Sequence, residues 1–223
     1  MSKKQMTTKL AILSVNLMLA VMEFIGLVLM VKLYKSYNLH PFGWLQYYTQ
    51  LSNIFSMFAA FGVAFFEARD LIIKKEMPHP LARLFKFITA CMLMQTFLVT
   101  LFVLSPMGMM GGFLPLMFEG ANLYHHLLCP LLSVISLIIL EKGEKITLKH
   151  CVYALIPTVI YAVVSVTLNI LKVWHGPYPF LYVYEQPFYM SIIWAVVILG
   201  GAFLITLLVK ALANIPLKKK KES

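Results

Sequence analysis

The chain has 223 residues, of which 61% are hydrophobic and only 13% charged, with a net charge of +10 and a mean hydropathy of +0.82. A water-soluble domain carries about twice that charged fraction, so a globular enzyme with a solvated surface is excluded and lipid is the expected solvent. Three cysteines, Cys91, Cys129 and Cys151, fall in separate apolar stretches; they read as small core residues and define no disulfide framework.

A bilayer core about 30 Å thick takes roughly 20 apolar residues of helix. Six stretches qualify, over residues 9–31, 45–66, 85–104, 120–140, 151–171 and 188–209. Each is expected to be helical, because lipid offers no partner to an open backbone group. Breakers separate them at His40-Pro41-Phe42-Gly43, Pro78-His79-Pro80, Ser105-Pro106 and His175-Gly176-Pro177. The expected fold is therefore all-α, a single domain over 1–223 built as a bundle of six transmembrane helices.

The first stretch is too long for a cleaved signal peptide and contains Glu23, an acid about 12 Å from the outer helix end. Lys3, Lys4 and Lys9 precede it, while Arg69, Lys74, Lys75, Arg83 and Lys86 fill the second connection. Lys142, Lys145 and Lys149 occupy the fourth connection, and Lys210 and the lysines at 218–221 follow the last span. Of the 19 basic residues only Lys32, Lys35 and Lys172 fall on the other side. Both termini are thus expected in the cytoplasm. The terminal lysines read as a contact for anionic lipid headgroups, and nucleic acid is not expected as a partner.

The second stretch, entering from outside, carries Gln46, Thr49, Gln50, Asn53 and Ser56 within an arc of about 120°. The fourth also enters from outside, with Asn122, His125, His126, Cys129, Ser133 and Ser136 within about 100° by the same geometry. Polar side chains at membrane depth are costly, so two coherent stripes point to a site. The same residues also serve as packing glue worth about 0.6 kcal/mol per contact. Thr49 lies five residues beyond the interfacial Trp44, roughly 7 Å inward, and His125 six beyond Glu119, roughly 9 Å inward. At matched depth the two are expected to face each other. Metal is not expected: there is no His-Glu-x-x-His, and adjacent His125 and His126 point about 100° apart. No cofactor motif is present either, neither a Gly-rich phosphate loop nor a nucleophile elbow. The Met-rich run from Pro106 to Phe113 reads as a cover over a lipid entrance or as an apolar loop resting on the bilayer.

Three segments together carry a resemblance: Tyr47-Tyr48-Thr49-Gln50-Leu51-Ser52-Asn53, His125-His126-Leu127-Leu128-Cys129-Pro130-Leu131-Leu132, and Gly176-Pro177-Tyr178-Pro179-Phe180-Leu181. In these the chain resembles the androgen-induced-gene family of multi-pass membrane proteins, most closely its bacterial Pr6Pr-type branch. That resemblance implies residence in a bacterial cell membrane. It also implies hydrolysis of fatty acyl esters, with Thr49 and His125 matching the family's threonine and histidine. His126 is a neighbour of weaker match. Asn53, Asn122 and Tyr124 are candidate donors to a developing oxyanion, and Glu23 a candidate orienting acid. Two function classes stay open: an intramembrane threonine-dependent lipid-ester hydrolase, or a small transporter or ligand sensor without hydrolytic activity.

Overall fold

The computed structural model describes residues 1–216, and every regular element among them is helical. The lysines at 218–221, expected to meet lipid headgroups, lie outside the described residues. Seven α-helices follow in order: α1 (Lys3–Ser36), α2 (Tyr48–Ile73), α3 (Pro80–Val99), α4 (Phe113–Phe118), α5 (Cys129–Ile139), α6 (Leu148–Ile170) and α7 (Phe188–Ala213). Ser2 starts α1 with a capping box, its hydroxyl accepting from Gln5 N while Gln5 Oε1 accepts from Ser2 N.

Five helices are long and apolar enough to cross a membrane: Lys3–Ser36, Tyr48–Ile73, Pro80–Leu104, Leu148–Ile170 and Phe188–Ala213. The stretch expected over 120–140 is a shorter apolar helix, Leu123–Ile139. Its start is set back by Gly120, whose φ of +54° breaks the chain. Its first part, Leu123–Leu128, is π-helical. Pro130 gives the reason, since its ring crowds the carbonyl four residues back, that of His126, and its missing N–H frees that carbonyl. Pro106 stands in the same relation to the π-helical turn Thr100–Leu104.

Polarity is distributed inside out. Asn16, Glu23, Ser52, Asn53, Ser56, Lys86, His125 and Ser133 are fully buried, whereas Phe58, Phe102 and Leu204 stand about two-thirds exposed on the outer face. An apolar exterior around a polar interior is the arrangement lipid demands. Helix α3 lies at the centre, packed against α2, α5, α6 and α7, while α1 packs on α2 and α5.

Two basic residues read as topology markers are in fact structural. Lys9 pairs with Glu67 and Asp70, both at 3.0 Å. Lys86 is fully buried inside α3, donating to Asn16 Oδ1 at 2.8 Å and lying 3.6 Å from Glu141. These pairs, with Arg83 bonded to the Glu141 and Glu144 carbonyls and Lys142 to those of Ala213 and Ile215, tie the charged connections together at one end of the bundle.

Candidate active site

The polar stripes of α2 and of Leu123–Ile139 meet inside the bundle near its other end. Thr49, Gln50, Asn53 and Ser56 are buried, as are Asn122, His125, His126, Cys129, Ser133 and Ser136. Gln46 is the exception. It sits in a short turn before α2, where its side chain accepts from Trp174 Nε1 at 2.6 Å and its carbonyl from the Tyr161 hydroxyl at 2.8 Å.

The histidine that reaches Thr49 is His126, where His125 was expected. His126 Nε2 lies 3.4 Å from Thr49 Oγ1. Its other nitrogen, Nδ1, lies 2.6 Å from the Leu116 carbonyl oxygen. A carbonyl only accepts, so the proton is on Nδ1, and Nε2 presents its lone pair to the threonine hydroxyl. The threonine O–H therefore donates toward a ring held by a second hydrogen bond, the relation of nucleophile, base and orienting group. The orienting group is a backbone oxygen of the six-residue helix α4, whose last carbonyls have no partner within the helix. The Met-rich run itself stays outside, with Met107, Met110 and Phe113 exposed, and only Leu116 and Met117 of α4 after it turn inward.

His125 points elsewhere. Its Nε2 lies 3.3 Å from the Glu23 carbonyl, and its Nδ1 has no partner among the described residues. Gly26 leaves space for this ring, since a Cβ there would lie 2.2 Å from His125 Nε2. One helix cannot aim two successive side chains the same way, so the pairing of His126 with Thr49 commits His125 to α1.

The expected supporting residues divide. Asn53 Nδ2 donates to the carbonyls of Thr49 at 2.8 Å and His125 at 3.4 Å. Its donors are thereby used in fastening α2 to the π-helical segment and do not face the Thr49 hydroxyl. Asn122 donates to the Pro115 carbonyl at 3.1 Å and so secures α4. Tyr124 packs against Leu19, Ala20, Ala60 and Cys129. Glu23 is fully buried, and neither of its carboxyl oxygens is bonded among the described residues.

Tyr178 is the group the sequence did not assign. The phenol is 5% exposed, and its oxygen accepts the Thr49 N–H at 3.5 Å. Burial pushes this phenol above its ordinary value, so its own hydrogen is retained and free to donate beside Thr49. The connection carrying it is held by Asn169, which donates to the His175 carbonyl and accepts from Val183 N at 3.2 Å. Gly176, at a φ of +90°, supplies the turn that brings Tyr178 inward.

Thr49 and Tyr178 sit in the wall of a cavity of about 520 Å³, within the range of small-molecule sites. Val99 of α3, Val166 of α6 and Leu199 of α7 contribute to an otherwise mainly apolar lining. Ile192 and Val196 in its α7 wall are 52% and 66% exposed, so the cavity reaches the apolar outer face of the bundle. Among its polar lining groups, the Tyr48 and Thr158 hydroxyls and Gln95 Oε1 lie within 2.7 to 3.2 Å of one another, the two hydroxyls sharing their hydrogens with the amide oxygen. No family model, curated protein or solved structure matches the chain.

Proposed function

We propose that this chain is an intramembrane hydrolase of lipid esters, with Thr49 as nucleophile and His126 as its base. What carries this assignment is the 3.4 Å approach of an oriented imidazole to a buried threonine hydroxyl at the wall of an apolar cavity. A threonine hydroxyl is a weak nucleophile at its own pKa and needs such a base. Thr49 Oγ1 attacks the ester carbonyl carbon while its proton passes to His126 Nε2. The new positive charge strengthens the Nδ1–H bond to the Leu116 carbonyl. Tyr178 donates to the oxyanion, the proton returns to the leaving alcohol, and water then releases the fatty acid from Thr49 by the same relay. An acyl chain fits the cavity because it meets few polar groups there and approaches sideways past Ile192 and Val196.

In this proposal Leu123–Ile139 is the sixth crossing, and both termini face the cytoplasm of a cell membrane, as the distribution of lysine and arginine supports. The site then opens within the outer leaflet. The resemblance to the androgen-induced-gene family favours a threonine–histidine hydrolase and the same threonine, Thr49, but matches its histidine to His125, where this proposal places the base at His126.

Full-length protein in lipid vesicles is given a long-chain fatty acyl ester and a fluorophosphonate probe. Turnover and labelling at Thr49 are expected, and Thr49→Ala is expected to lose both. Labelling on another residue, or turnover indifferent to Thr49→Ala, overturns the proposal. Tyr178→Phe tests the oxyanion role separately. It is expected to lower kcat by about 10²–10³ with little change in KM, as for loss of one oxyanion donor. An unchanged kcat removes Tyr178 from the mechanism.

A further inference from the structure

The hydrolytic pair leaves one costly residue unexplained. Glu23 lies in the middle of α1, fully buried, with both carboxyl oxygens unbonded among the described residues. Six other buried atoms share this condition: Gln50 Oε1, Asn53 Oδ1, Ser56 Oγ and Arg69 Nε on α2, Ser133 Oγ on α5, and His125 Nδ1. Arg69 stands apart, roughly 20 Å beyond Ser56 along α2, whereas Ser56 and His125 come to Glu23. The Ser56 hydroxyl of α2 is close enough to act on the Glu23 carboxyl without meeting hydrogen-bond geometry, Lys86 of α3 and Cys129 of α5 lie within its field, and the His125 ring lies on the Glu23 carbonyl. Ser133 stands one turn beyond Cys129 on α5.

Buried polar atoms are almost always satisfied, and where protein supplies no partner an internal water does. Unpartnered atoms beside one buried carboxyl are the condition that an internal water relieves. An isolated carboxylate in such surroundings is very costly, and binding a proton relieves that cost. A metal cation is the poorer occupant, because the Lys86 ammonium already stands within the field of Glu23. A proton neutralises the acid without adding a second positive centre.

The surroundings of Glu23 also have a direction. Lys86 and Asn16 bond each other at 2.8 Å, Asn16 donates to Glu141 Oε1 at 3.0 Å, and Ser136 reaches the same oxygen. Asn16 is seven residues before Glu23 on α1, about two turns along the same face. Glu141 in turn lines a charged vestibule of about 600 Å³ at the end of the bundle, shared with Lys9, Arg83 and Lys142. Leu19, Ala20, Ala60 and Cys129 form a buried apolar cluster in this region, with Ser133 one turn beyond Cys129 on α5.

We propose that Glu23 is the centre of a second, internal site that binds a proton and water, held between Ser56, Ser133 and His125 and connected to the charged vestibule through Lys86, Asn16 and Glu141. It is distinct from the Thr49–His126 pair and stands whether or not that pair hydrolyses esters.

Infrared difference spectroscopy on the full chain in lipid vesicles reads this site directly. At neutral pH a band of a non-ionised carboxylic acid is expected, shifting to lower frequency after transfer to D2O. Glu23→Gln is expected to remove it, and Glu23→Asp, which keeps an acid in place, to move it. Should Glu23→Gln fail to fold, the shift caused by Glu23→Asp carries the assignment. Hydroxyl-radical footprinting gives a second readout, because water at the site leads to oxidation of the otherwise fully buried Cys129. Absence of the band, its persistence unchanged in both variants, its failure to exchange in D2O, or an unoxidised Cys129 overturns the proposal. So does a carboxylate signal that appears only on adding sodium, which would make the occupant a metal ion.

Discussion

His126→Ala is expected to reduce ester hydrolysis by about 10²–10⁴-fold, the usual worth of a positioned general base, while His125→Ala leaves the chemistry largely in place. The asymmetry follows from two hydrogen bonds. His126 turns Nε2 to Thr49 because the Leu116 carbonyl holds its Nδ1 proton. His125 spends Nε2 on the Glu23 carbonyl and sits where Gly26 leaves room for it. Loss of the His125 ring therefore opens a void between α1 and the π-helical segment and is expected to appear as a lowered melting temperature. Added imidazole is expected to restore part of the His126→Ala activity, since it supplies the missing base, and to do nothing for His125→Ala. Equal losses in the two variants, or rescue of His125→Ala alone, would return the role of base to His125.

That one-residue difference shows where the sequence stops being informative. Both polar stripes and the burial of Thr49 and of the acid in α1 are legible because membrane solvent penalises polar atoms and helical periodicity groups them. Which of two adjacent histidines faces the threonine depends on how far the helix is unwound before Pro130, and on a carbonyl from α4. A backbone oxygen leaves no mark on residue identity. Tyr178 was within a motif that stood out, yet its position depends on the turn at Gly176 and on the bracing by Asn169. Lys86 misleads for a different reason. A lysine near a helix start counts toward the charge bias of a connection whether it snorkels to water or turns inward to an acid. Nothing local distinguishes the two until Asn16 and Glu141, from distant parts of the chain, are seen to meet it.

Lys86→Met should then destabilise the protein by about 3–5 kcal/mol, the cost of leaving one member of a buried ion pair without its partner. Lys86 is fully buried and Glu141 nearly so, at 8% exposed, with 3.6 Å between their charged atoms. Removing the ammonium strands the Glu141 carboxylate against Asn16 and Ser136, which can donate hydrogen bonds but cannot neutralise it. Glu141→Leu alone strands Lys86 in the same way. The double variant Lys86→Met/Glu141→Leu removes both charges and replaces them with apolar volume, so it is expected to recover most of the lost stability. Melting temperatures of the four proteins in one detergent give the coupling between the two sites. If the singles melt with the wild type, the pair contributes nothing; if their losses simply add, the two residues act independently. A strong positive coupling instead identifies this pair as the joint between α1, α3 and the end of α5. Those elements carry the Asn16 face of α1 and the stripe that ends at Ser136, so loosening the joint disturbs the polar interior from the end opposite to Thr49.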